Sequence, residues 1–84
     1  MPTPEVIEKV RQLRAELSKA QPGTAEAETV SNHINQVLAD PVHAPHYEGL
    51  RDRLLSASAN LESRHPQLAA SMKAVINALS AAGV

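Results

Sequence analysis

The chain has no cysteine, no phenylalanine and no tryptophan, and Tyr47 is its one aromatic residue. Without cysteine there are no disulfides, no thiolate nucleophiles and no cysteine metal sites. So few aromatics argue against a sheet, because strands draw on aromatic and β-branched side chains. Only three glycines occur and none sits in a phosphate-cradling turn, which leaves a glycine-rich nucleotide loop without support. No apolar run approaches the ~18 residues that a membrane-crossing helix requires. The opening Met1-Pro2-Thr3-Pro4-Glu5 runs into Glu8, Lys9 and Arg11 without the apolar core of a secretory signal, so a cytoplasmic setting is expected.

Charge of one sign is also missing. Eight basic side chains face nine acidic ones, for a net charge of −1, and the two halves of the chain carry −2 over residues 1–42 and +1 over 43–84. Neither half has the cationic excess that a phosphate backbone demands, so no nucleic-acid partner is expected. A surface-bound amphipathic helix, whose polar face is rich in Lys and Arg, is disfavoured for the same reason.

What the sequence does have is alanine and leucine, fourteen and nine residues of 84, a mix that favours helix. At 9.0 kDa the chain is sized for a single helical domain over residues 1–84. A chain of this mass hides roughly 60–65% of its unfolded surface, a small core that a partner often completes.

Prolines and glycines divide the chain into four windows. Thr3 can cap the first (4–20), with Pro4 at its first position, and Pro22-Gly23 stops it. Thr24 can cap the second (24–39), which Asp40-Pro41 ends. The third spans 45–62 and the fourth 66–82, with Pro66 pushing His65 away from helical angles; one kinked helix over 45–82 is the competing reading. Each window carries an apolar stripe at 3–4 spacing. The stripes are Val6, Val10, Leu13, Leu17 and Ala20; Ala27, Val30, Ile34, Val37 and Leu38; Tyr47, Leu50, Leu54, Ala57 and Leu61; and Leu68, Met72, Val75, Ile76 and Leu79. The predicted fold is all-α: two antiparallel hairpins forming a small bundle, open to completion by dimerisation.

Apolar residues that miss these stripes point to a partner. Ile7 lies beside its stripe, Leu55 and Ala59 lie well off theirs, and Ala70, Ala74 and Ala81 sit on the back of the fourth helix. Lone surface alanines are ordinary helix formers. As a group they suit a second contact face, because small side chains let helix axes approach closely and Leu55 supplies an anchor. The expected partner is a second copy of the chain, as a homodimer, or another protein.

Chemistry finds less support. His43 and His46 are three residues apart in a proline-rich loop beside Tyr47, the basis of an alternative reading as a small-ligand or metal-binding regulator. Two imidazoles do not make a site without a third ligand, and no HExxH or Cys/His spacing occurs, so no metal or other cofactor is expected. His33 reads as the half-buried edge of its stripe, and His65 as a residue that caps the fourth helix or packs in the break. Seven serines include no Gly-x-Ser-x-Gly elbow, and Ser56, Ser58 and Ser71 fall within helices where they can bond the preceding turn. Glu5 with Lys9 and Glu48 with Arg51 read as surface pairs. A helix-turn-helix reader is excluded by the second helix, which shows Glu26, Glu28, Asn32, Asn35 and Gln36 and no Arg or Lys. A non-enzymatic interaction or structural module is the leading expectation.

Three segments carry a family resemblance: Leu50-Arg51-Asp52-Arg53-Leu54-Leu55, then Leu61-Glu62-Ser63-Arg64-His65-Pro66-Gln67-Leu68-Ala69, then Ile76 to Val84. Together they resemble domain of unknown function family 4404, a group of short bacterial proteins. The resemblance implies an N-terminal helical hairpin, a leucine- and arginine-rich helix, a Glu-x-x-His-Pro-x-Leu-Ala break and a last helix. Glu62, His65, Pro66, Leu68, Ala69, Leu79 and Gly83 match. Leu61 or a neighbour stands where the family has an aromatic, and Ala82 where it often has methionine. An all-α fold and a bacterial cytoplasmic setting are implied, with no activity, ligand or catalytic residue to transfer.

Overall fold

The computed structural model describes residues 3–84; Met1 and Pro2, part of the N-terminal segment read above, lie outside the described residues. Four helices follow in order: α1 (Pro4–Ala20), α2 (Ala25–Ala39), α3 (Ala44–Leu61) and α4 (Pro66–Ala81). Among the described residues there is no strand. The expected limits are met to within a residue, which is the scale of helix-end fraying.

The local chemistry of the caps explains these limits. Thr3 and Thr24 accept hydrogen bonds from the N–H of Val6 and of Ala27, each at 3.2 Å, and so satisfy first-turn donors that have no partner inside the helix. α1 closes on Gln21 in the left-handed region (φ 45°, ψ 60°), whose N–H donates to the Leu17 carbonyl at 3.0 Å. Pro22 and Gly23 (φ 70°) complete that turn. At the far end Gly83 takes φ 86°, the Val84 N–H returns to the Leu79 carbonyl at 3.0 Å and the Gly83 N–H to Ser80 at 3.1 Å. That paired closure is the Schellman motif, with Gly83 in the position that favours glycine.

α3 and α4 are two helices and not one kinked helix. His65 stands between them in a non-helical conformation, half-buried, with its carbonyl accepting from the Ala69 N–H at 2.9 Å and no side-chain cap bond. It thus stands at the N-cap position of α4 through its backbone, while its side chain does no capping. Short connections set successive helices antiparallel. Each helix then packs on two neighbours, α1 on α2, α2 on α3, α3 on α4 and α4 back on α1, while no Cα atoms of either diagonal pair come within 8 Å. The hairpins thus close into a ring measuring 32 × 22 × 18 Å. Its broadest seam is α3–α4 and its thinnest α1–α2.

The four stripes meet inside this ring. All the stripe residues named above are buried except two. Ala20 is exposed because α1 ends there, and Leu38 is half-buried at the edge of the core. The stripes missed Ala69 and Ser58, both buried. The Ser58 hydroxyl donates to the Leu55 carbonyl at 3.2 Å, which lets a polar group sit inside without an unmet hydrogen bond. Gly49 brings α3 against α2: a Cβ there would stand 3.2 Å from the His33 ring. No helix among the described residues is long and apolar enough to cross a membrane.

Candidate interaction surface

With the stripes turned inward, the off-stripe residues can be placed. Leu55 is 46% exposed, although it lies in the middle of a regular helix. Two turns further along the same line of α3, Glu62 pairs with Lys73 of α4 at 3.1 Å, so this line of α3 is the one bordering α4. Ala59, also exposed, lies one turn beyond Leu55. On α4 the exposed residues Ala70, Ala74 and Ala81 fall along one outward line with Asn77 between them. Ala74 and Ala81 each line shallow grooves against α1, and Lys73, which meets Glu62, marks the opposite flank of α4, so that line runs along the outer surface between the two. The outer surface of α3 and α4 therefore carries Leu55 and Ala59 on α3 and Ala70, Ala74 and Ala81 on α4, with Asp52, Glu62, Lys73 and Asn77 exposed among them.

Ile7 does not join this face. It is half-buried on the flank of α1 opposite Lys9, Gln12 and Glu16, the residues that line grooves against α4. α1 is also diagonal to α3, so Ile7 and Leu55 lie on separate surfaces.

The loop between α2 and α3 brings together two of its three expected residues and withdraws the third. The rings of His43, exposed, and His46, half-buried, stand 4.3 Å apart between centroids and tilted by 52°. Tyr47 has no exposed surface and its hydroxyl donates to the Pro41 carbonyl at 2.6 Å. Burial first, and then the Asp40 carboxylate, raises the phenol above its ordinary value of 10.0, because both disfavour the charged form. Tyr47 thus ties the loop to the core, and its oxygen is already committed. Among the described residues no three His, Cys, Asp or Glu side chains gather in a group that could hold a metal ion.

The same loop holds a residue that the stripes passed over. Val42 is 83% exposed. The available sign was its position between Pro41 and Pro45, outside every helical window. Elsewhere, His33 is half-buried and its Nδ1–H donates to the Thr29 carbonyl at 2.9 Å, as its edge position implied. The surface pairs expected of Glu5 with Lys9 and of Glu48 with Arg51 do not form; among the described residues the ion pair is Lys73 with Glu62. Long exposed side chains gain too little from such pairing to be held in place. The Nε of Arg51 is buried without a hydrogen-bond partner.

A family model described as "Domain of unknown function (DUF4404)" matches residues 6–84, which carries the resemblance seen over residues 50–84 back through α2 and nearly all of α1. No curated protein and no solved structure matches the chain.

Proposed function

We propose that this chain, which belongs to the family described as Domain of unknown function (DUF4404), is a non-enzymatic interaction module whose outer α3–α4 face meets a second copy of itself. The observation that carries this reading is Leu55. The core is complete without it, yet a large aliphatic side chain is left 46% exposed on a rigid helix, among alanines that let another helix approach closely. A two-fold contact sets a patch against itself and so needs both signs of charge within it; Asp52, Glu62 and Lys73 supply them. A bacterial cytoplasmic setting belongs to the same reading.

The test is sedimentation of the wild-type chain and of Leu55→Glu across a range of concentrations. The wild type should shift toward twice the 9.0 kDa chain mass. Leu55→Glu should stay at the monomer mass throughout; at concentrations low enough for the wild type to be monomeric the two melting temperatures should agree within ~4 °C, since surface substitutions cost within ~0.5 kcal/mol, and at higher concentrations only that of the wild type should rise. Equal association of both would remove Leu55 from the interface. The alternative, a regulator binding a metal or small ligand at His43, His46 and Tyr47, is weakened by the Tyr47–Pro41 bond. Zinc should leave the melting temperature unchanged, because only a ligand that binds the folded form raises it.

A further inference from the structure

Helix α1 lies on the looser side of the ring. Its seam with α2 is the thinnest of the ring. An open groove of about 630 Å³ runs over the α1–α2 turn beside Leu17 and Ala27, and one of about 320 Å³ lies between the C-terminal end of α1 and α4 at Leu68. Among the described residues, the side-chain hydrogen bonds that join different elements run from Lys73 to Glu62 and from Tyr47 to Pro41, and neither reaches α1. α1 also carries seven charged side chains in its 17 residues, so water solvates its outer side well. Its hinge is strained: among the described residues Gln21 is the non-glycine residue with positive φ, and Pro22 prevents α1 and α2 from running on as one helix.

We propose that α1 opens as a unit about Gln21 to Gly23, and that the strip it uncovers takes the α1 of a second copy of the chain. Ala27, Leu68 and Val75, which line the grooves beside α1, belong to that strip. The occupant follows from the fit. The strip is built against Val10, Leu13 and Leu17, and an identical helix restores every contact that the departing one made. The exchanged pair then differs from two closed copies only at the hinge, where Gln21 is freed from the left-handed region, and a strained short hinge is the element that favours such exchange. This exchange is separate from the outer-face contact and does not require it.

The experiment uses Leu55→Glu, so that outer-face association does not contribute. Amides from Val10 to Leu17 should exchange hydrogen together, about tenfold or more faster than those from Leu50 to Leu61. After refolding at high concentration, a species of twice the 9.0 kDa mass should persist on dilution, because separating it requires α1 to open again. Exchange of α1 and α3 in one global step would overturn the proposal. So would protection that rises gradually inward from Thr3, which is fraying, and so would a refolded chain that is wholly monomeric.

Discussion

Helices α3 and α4 each bury six residues, while α1 and α2 bury four each. The α3–α4 seam is the broadest and carries the Lys73–Glu62 pair, whereas the α1–α2 seam is the thinnest and opens into a groove. Both sides come from the same kind of apolar stripe. A stripe tells which face of a helix turns inward, and the breadth of the seams it forms there decides how firmly the helix is held. The firm side is also the one that presents Leu55. A contact face on rigid helices loses little conformational freedom on binding, which favours association.

Cavity-forming substitutions test this contrast most severely. Leu54, fully buried in α3, should cost about 3–4 kcal/mol as Leu54→Ala, because a tightly enclosed site relaxes poorly around a void. Leu17, which lines the groove beside α2, should cost about 2 kcal/mol as Leu17→Ala, because water already reaches its edge. At ~4–8 °C per kcal/mol for a chain of this size the two melting temperatures should differ by several degrees. Equal losses would erase the contrast between the sides.

A smaller effect belongs to the α2–α3 loop. Tyr47→Phe removes the bond to the Pro41 carbonyl and should cost about 1–1.5 kcal/mol. It also has a pH signature. The folded phenol is raised above 10.0, so its contribution is fully present below that pH and is lost as pH rises through the folded value. The melting temperature of the wild type should therefore fall on the alkaline side of pH 10.0, and that of Tyr47→Phe should fall less steeply. Parallel alkaline profiles would mean that the hydroxyl is not buried.

The smallest effect is a gain. Gln21→Gly relieves a left-handed conformation at the hinge of the loose side and should stabilise the chain by about 0.5–1 kcal/mol, part of the strain being offset by the greater freedom of glycine in the unfolded chain. Thermal melting checks it, and a lowered melting temperature would show that Gln21 makes a contact worth more than its strain.

Much of the fold was legible because it is fixed locally. Thr3, Thr24, Pro4 and Pro66 mark helix starts through their own side-chain chemistry, and stripes at 3–4 spacing name the core. The order of the ring is not local. Four stripes of similar width do not reveal which helices end up diagonal, so Ile7, beside its stripe, and Leu55, well off its own, were grouped in one contact face although they lie on separate surfaces. The fate of Tyr47 was hidden for the same reason. Its place on the apolar stripe and its place beside two histidines were both visible, but the Pro41 carbonyl that accepts its hydrogen bond is positioned by the turn between two helices. Gln21 gave no sign at all, because glutamine enters the left-handed region only when closure of the α1–α2 turn requires it.

Whether the outer face of α3 and α4 is where this chain meets a second copy can be read from amide correlation spectra recorded over rising protein concentration. Shifts should concentrate at Leu55, Ala59, Ala70 and Ala74. Spectra that do not change with concentration, or changes confined to the face formed by α1 and α2, would contradict it.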